Sequence, residues 1–174
     1  MIKPPYDIDS NILKKAQTLQ LALFDVDGVL TDGSLFYSAN GEEIKCFNVL
    51  DGHGLKQLRD NKIIVGIISA KQSNALTKRL NDLGIEHQLT GISDKLSAYQ
   101  ELTATLGIAH ENTCFTGDDV IDIPVMQSCG LAFSVANGHY SVKEIADWVT
   151  PIAGGSGAVR AICDLINYAK YLDQ

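Results

Sequence analysis

The sequence predicts an α/β protein built on an open parallel sheet, and three observations carry that expectation. Short, nearly continuous apolar runs recur at residues 21–24, 63–68, 113–116 and 131–135, as expected of strands covered on both faces. Between them, apolar residues fall at helical spacing. Strand and helix alternate along the whole length, which calls for right-handed crossovers between parallel strands. A chain of 174 residues fits one domain over 1–174, since domains of about 100–200 residues are usual. No internal repeat, low-complexity tract or linker divides it.

The elements follow in order. The first strand is Leu21-Ala22-Leu23-Phe24 and runs directly into Asp25. The segment 34–49 then breaks the alternation, with Leu35-Phe36-Tyr37, Ala39-Asn40-Gly41-Glu42, and Ile44, Cys46 and Phe47. Asn-Gly between apolar runs predicts a β-hairpin whose two turn residues both accept positive φ. Its apolar side chains need cover, from the domain or from another subunit. Leu55 and Leu58 mark a helix, residues 63–68 a strand, and Leu76, Leu80 and Leu83 a second helix. Leu96, Tyr99, Leu102 and Leu106 mark a third, opened at Asp94-Lys95 and stopped at Gly107. The last helix carries Val159, Ile162, Cys163 and Ile166 after a glycine-rich lead-in, the two together spanning about 154–172. Gly154-Gly155-Ser156-Gly157 is not a dinucleotide fingerprint, which belongs after the first strand of a βαβ unit. It reads as a flexible start to the helix, or as a mobile segment reaching a site.

Charge and composition exclude several functions. Fourteen Lys and Arg against 21 Asp and Glu leave a net charge of −7, without the broad basic surface that nucleic-acid binding needs. The longest apolar run falls far short of the ~18 residues of a membrane span, so neither nucleic acid nor membrane is an expected partner. Lys3 followed by Pro4, Pro5, Asp7 and Asp9 is no signal peptide. Cys46, Cys114, Cys129 and Cys163 lie far apart without a C-x-x-C pair, and Cys46, Cys114 and Cys163, flanked by apolar residues, read as structural thiols. The cytoplasm is the expected location.

The chemistry gathers at strand ends. Asp25-Val26-Asp27-Gly28-Val29-Leu30-Thr31-Asp32-Gly33 follows the first strand, and Thr116-Gly117-Asp118-Asp119-Val120-Ile121-Asp122 follows another. Ligands collect at the carboxyl ends of strands in open α/β sheets. Carboxylates converging there raise one another's pKa unless a cation lies between them, and hard oxygen ligands favour Mg²⁺. Asp-Gly and Asp-Asp pairs also make turns and helix N-caps. A calcium loop is excluded, because its sixth and twelfth positions, Gly and Glu, are here Leu30 and Phe36. Ser69 after residues 63–68 and Lys95 at a helix start are the donor and cation a phosphate would want. Taken alone, Ser69 is an N-cap candidate and Lys95 a surface lysine.

Asp25-x-Asp27-Gly28, Ser69, Lys95 and Gly117-Asp118-Asp119-x-x-Asp122 match, in order, the four motifs of the haloacid-dehalogenase-like phosphohydrolases, which the chain resembles. Asn40-Gly41-Glu42-x-x-Lys45-x-Phe47-Asn48-Val49-x-Asp51-Gly52-x-Gly54 and Gly154-Gly155-x-Gly157-Ala158-Val159-Arg160 are similar to one branch, the 3-deoxy-D-manno-octulosonate 8-phosphate (KDO 8-phosphate) phosphatases. The likeness extends over about 21–169. It implies a Rossmann-like open parallel-sheet sandwich with a small projecting hairpin. The intervals 32–62 and 69–95 are too short for a cap domain, so a lone subunit's site should be open.

The resemblance also implies roles. Asp25 is the expected nucleophile and Asp27 the general acid and base, with Ser69 and Lys95 on the phosphoryl oxygens. Asp25, the Asp27 main-chain carbonyl and Asp118 are expected to hold Mg²⁺, supported from behind by Asp119 and Asp122. Asp27, Asn48, Val49, Leu50, Asp51 and Gly52 would line the sugar site, with Lys56, Lys71, Arg79, Lys95 and Arg160 as cations for an anionic sugar-acid phosphate. An acid at position 27 argues against a dehalogenase, which has no leaving oxygen to protonate. The family implies a homo-oligomer, a tetramer assembled around the hairpins, and a place in lipopolysaccharide synthesis. Lys71 stands where relatives commonly have Arg, which keeps the charge but loses the bidentate fork. A nine-carbon, sialic-acid-type 9-phosphate is therefore the alternative substrate. A non-catalytic oligomerisation module would lack the nucleophile, acid or metal ligand, and all are present.

Overall fold

A computed structural model describes residues 3–41 and 43–172; Glu42 of the hairpin motif lies outside the described residues. In chain order the elements are α1 (Ser10–Gln17), β1 (Leu21–Phe24), β2 (Phe36–Tyr37), β3 (Glu43–Ile44), α2 (Val49–Asp60), β4 (Ile64–Ser69), α3 (Asn74–Asp82), β5 (His87–Thr90), α4 (Lys95–Leu106), β6 (Thr113–Thr116), α5 (Ile123–Met126), β7 (Leu131–Ser134), α6 (Tyr140–Ile145), β8 (Trp148–Val149) and α7 (Ala158–Leu172). Six strands form one sheet in the order β5-β4-β1-β6-β7-β8, each pairing parallel.

Alternation along β1 divides the core. Ala22 and Phe24 point to one face, packing with Leu55, Leu80, Val159, Ile162 and Ile166 of α2, α3 and α7. Leu21 and Leu23 point to the other, with Tyr99, Leu102, Phe115, Val125 and Val142 under α4, α5 and α6. Every β1 side chain is fully buried, and each such burial contributes roughly 1.5–3 kcal/mol. A central strand buried on both faces therefore reads as a continuous apolar run rather than an alternating one.

Local chemistry fixes the element ends. Asp94 caps α4 by accepting from the Ser97 N–H at 3.0 Å, and Gly107 ends it at φ +65°. Ser69 closes β4 instead of capping the next helix; Ser73 caps α3, accepting from the Leu76 N–H at 3.2 Å. The short α1, α6 and β8 offered the sequence too little apolar periodicity to be read.

The hairpin forms where expected, with Phe36 opposite Ile44 and Tyr37 opposite Glu43. Its turn differs from the expected two-residue form. The Gly41 N–H donates to the Ser38 carbonyl at 2.9 Å, and Gly41 is left-handed while Asn40 is not. Past the turn, Glu43, Lys45 and Phe47 are partly covered, whereas Ile44 and Cys46 face solvent. Cys46 is thus an exposed thiol rather than a structural one; Cys114 and Cys163 are buried, and burial raises their pKa well above the ordinary thiol value.

The glycine-rich lead-in is packed rather than free. Its Gly155 N–H donates to the Val29 carbonyl at 3.0 Å, and its Gly154 N–H to Asn137 Oδ1 at 2.7 Å. A Cβ on Gly154 would lie 1.7 Å from the Gly28 carbonyl oxygen. The glycine is there because two backbones touch, and this segment forms the floor beneath the loop after β1.

Candidate active site

The parallel register brings the ends of β1, β4 and β6 level. The Asp25 N–H continues the ladder by donating to the Thr116 carbonyl at 2.9 Å. The chain then turns sharply, the Val26 carbonyl accepting from the Val29, Leu30 and Thr31 N–H groups. Gly28, at φ +92°, allows this turn to approach the β6 loop so closely that a Cβ would sit 2.0 Å from Asp118 Oδ2.

Behind Asp118 stands Asp122, fully buried. Asp122 Oδ2 accepts from the Asp118 and Asp119 N–H groups at 3.0 and 3.2 Å, and its Oδ1 accepts from Lys95 Nζ at 2.7 Å. Lys95 Nζ also stands 2.9 Å from Asp25 Oδ1, an ion-pair distance without hydrogen-bond alignment. Burial works against the Lys95 charge, but Asp25 and Asp122 outweigh it and hold the ammonium above its ordinary pKa. Burial and then the Asp122 charge push Asp25 up to about 7, against the pull of Lys95. Burial and the charges of Asp25, Asp122 and Asp119 push Asp118 up to about 8.

One cavity of about 160 Å³ is lined by Asp25, Asp27, Ser69, Ala70, Lys71, Lys95, Asp118, Asp119 and Ile121. All four sequence motifs therefore meet there. Carboxylate oxygens of Asp25, Asp118 and Asp122 lie within 4.8 Å of one another. Asp25 Oδ1 and Asp118 Oδ1 are buried without a hydrogen-bond partner among the described residues, whereas both Asp122 oxygens are taken. Two adjacent buried carboxylate oxygens without hydrogen-bond partners fit a hard dication, so Asp25 and Asp118 would be its donors and Asp122 would support them.

The sugar-site residues do not all converge. Asn48 caps α2, accepting from the Leu50 N–H at 2.8 Å, and its amide reaches the Gly155 carbonyl at 3.3 Å. Val49 and Leu50 are exposed, as are Lys56 and Lys71. Arg79 donates to the Asn48 carbonyl at 3.2 Å and lies over the Phe47 ring, 5.8 Å from its centroid. Gly52 is small because a Cβ would meet Arg79 Nη2 at 2.3 Å. Asp51 is buried, and its Oδ1 accepts from the Arg160 N–H at 2.8 Å, capping α7. Arg160 itself pairs with Asp164 at 2.8 Å and lines a separate, larger cavity of about 480 Å³ with Lys3, Gln57 and Asn167. The strand-end aspartates line the smaller cavity; the larger contains none of them.

Lys45 was not singled out as a site residue. Its ammonium pairs with Asp27 Oδ1 and stands 2.7 Å from Glu43 Oε1, with its side chain 2% exposed. Burial opposes that charge, and the two carboxylates more than compensate, raising its pKa. The period-two pattern Glu43-Lys45-Phe47 was the available signal.

A family model described as haloacid dehalogenase-like hydrolase matches residues 89–162. The chain is 44% identical over 163 residues to the 3-deoxy-D-manno-octulosonate 8-phosphate phosphatase of Escherichia coli (strain K12), covering 94% of this chain and 87% of that protein. The crystal structure of the phosphatase of that name from Yersinia pestis superposes with TM-score 0.91 at 44% identity, covering 93% of this chain and 88% of that one. That from Moraxella catarrhalis, in complex with a magnesium ion, a phosphate ion and KDO, gives TM-score 0.91 at 39% identity and 92% coverage of both chains. With the motifs meeting in one cavity and identity of this extent over nearly its whole length, the chain belongs to the 3-deoxy-D-manno-octulosonate 8-phosphate phosphatase family of haloacid dehalogenase-like hydrolases.

Proposed function

We propose that the protein is a Mg²⁺-dependent phosphatase converting 3-deoxy-D-manno-octulosonate 8-phosphate to KDO and phosphate, a step of lipopolysaccharide synthesis in the cytoplasm. The observation that carries the reading is the meeting of Asp25, Asp27, Ser69, Lys95 and Asp118 around one cavity. The relative crystallised with magnesium, phosphate and KDO supports the metal and the sugar acid. The free thiols suit a reducing compartment, and among the described residues no helix is long and apolar enough to cross a membrane.

An Asp25 oxygen attacks phosphorus in line as the bond to the sugar C8 oxygen breaks, giving an aspartyl-phosphate. Asp27, two residues on and lining the same cavity, gives its proton to the departing oxygen. It then takes a proton from water, which attacks phosphorus and releases phosphate from Asp25. The Ser69 hydroxyl and Lys95 ammonium face the phosphoryl oxygens and offset their charge. Asp25, the Asp27 main-chain carbonyl and Asp118 would hold Mg²⁺, which would supply further positive charge beside the nucleophile. Asp119 and Asp122 hold that loop, Asp119 accepting from the Val120 N–H at 2.7 Å.

A cavity of about 160 Å³ suits a phosphoryl group, whereas sites that enclose a whole small ligand run to about 300–1,000 Å³. The sugar acid therefore lies outside it, toward Asn48, Val49, Leu50 and Gly52, with Lys71 and Arg79 as cations for its carboxylate. Leu35, Phe36, Tyr37 and Ile44 of the hairpin are about half exposed or more, as are Val49 and Leu50. This apolar rim supports assembly of a homotetramer in which a neighbouring copy covers the sugar.

The test is phosphate release with Mg²⁺ from KDO 8-phosphate and N-acetylneuraminate 9-phosphate in parallel, with Asp25→Asn and a chelator as blanks. Preference for the eight-carbon acid is expected, and preference for the nine-carbon acid overturns the substrate. Sedimentation showing a fully active monomer overturns the assembly.

A further inference from the structure

We propose that Lys45 is a positioning residue for Asp27, through which the seating of the hairpin controls the proton transfers of the reaction. This rests on the proposed phosphatase chemistry, in which Asp27 carries the proton.

The geometry gives Lys45 this task. Among the described residues it is the side chain with which the Asp27 carboxylate pairs, through Oδ1. Asp27 itself lines the cavity with Asp25, Ser69 and Lys95. Asp27 follows Val26 at the sharp turn after β1, and its carboxylate turns freely about two side-chain torsions unless something holds it. A general acid must stand within about 2.6–3.2 Å of the oxygen it protonates, so fixing one oxygen aims the other. Glu43 Oε1 stands at ion-pair distance, 2.7 Å, from the same ammonium. With 2% of its side chain exposed, Lys45 has almost no face to offer a substrate, which sets it apart from the exposed Lys56 and Lys71.

The hairpin itself makes this a coupling. Among the described residues β2 and β3 pair with each other and with no other strand, and Phe36 and Ile44, opposite one another, lie on one face of the hairpin, largely exposed. Strand alternation sends Ile44 outward and Glu43 and Lys45 inward. Whatever covers the outer face of the hairpin therefore fixes, through the inner face, the direction of Asp27.

Lys45→Met, which keeps the stem and removes the charge, is compared with Lys45→Arg and Glu43→Gln. On KDO 8-phosphate with Mg²⁺, Lys45→Met is expected to lower kcat at least about tenfold with KM little changed, and Lys45→Arg to recover most of the loss. p-Nitrophenyl phosphate separates the steps, because nitrophenolate leaves without a proton. Its first turnover should keep nearly the parental rate in Lys45→Met, followed by slow steady-state release as the aspartyl-phosphate waits for a poorly aimed base. Parental kcat on KDO 8-phosphate, a loss confined to KM, or an equal loss in the first turnover of nitrophenyl phosphate would each overturn the proposal. If Lys45→Met does not fold, Glu43→Gln, which loosens Lys45 without removing it, carries the same comparison with a smaller loss. If the parent fails on KDO 8-phosphate, the substrate reading falls, while the burst comparison still decides the role of Lys45.

Discussion

Lys95 and Asp122 form a buried ion pair, Nζ to Oδ1 at 2.7 Å, with side chains 3% and 0% exposed. Asp122 spends its other oxygen on the amides that shape the Asp118 loop, so this pair ties Lys95 to that loop. Removing one member of such a pair leaves a buried charge uncompensated, at a cost of about 3–5 kcal/mol. Lys95→Met is expected to lose stability on that scale in urea unfolding and to lose activity on the order of a hundredfold or more. Asp25→Asn should abolish turnover while leaving the fold intact.

Gly28 faces Asp118 so closely that a methyl group would displace the carboxylate. Gly28→Ala is expected both to strain the left-handed turn at φ +92° and to weaken the metal site. The Mg²⁺ concentration for half-maximal activity should rise about 10–100-fold, the usual effect of disturbing a metal ligand's support. An unchanged Mg²⁺ dependence would show that Asp118 is not a ligand.

The pH response of the metal-free protein has a definite sign. Burial and neighbouring carboxylates raise Asp25 to about 7 and Asp118 to about 8, from the ordinary 3.8. Between those values the folded state binds more protons than the unfolded chain, so stability falls as pH rises. The contribution is complete below the unfolded value and lost through the folded ones. The Tm of chelated protein should therefore drop as pH rises from about 4 to about 8. Added Mg²⁺, which favours the ionised carboxylates, should flatten that drop and bind more tightly at the alkaline end.

Asp51 tests the division between fold and substrate site. It is buried and its Oδ1 accepts from the Arg160 N–H near the start of α7, while its Oδ2 is buried without a hydrogen-bond partner among the described residues; the capping bond favours a structural role over the sugar contact the resemblance implies. Asp51→Ala should cost about 1–2 kcal/mol and leave KM for the phosphate ester unchanged. A raised KM with unchanged Tm would return Asp51 to the sugar site.

What the sequence determined by itself was the central strands and the groups that meet in one cavity. Residues 21–24 and 113–116 needed only a short, nearly continuous apolar run to be read as strands covered on both faces, and both appear at those bounds. Asp25, Ser69, Lys95 and Asp118 needed only their positions at strand ends and at a helix start, because a parallel register brings such ends level. Tertiary structure alone decided what those groups touch. That Lys45 reaches Asp27, that Asp51 turns to α7, that Arg160 faces the other cavity and that Gly154 rests on Gly28 all depend on how separate elements rotate and dock. Apolar periodicity gives the buried face of each element. It does not say which polar side chain, far along the chain, will be the nearest partner once that face is covered.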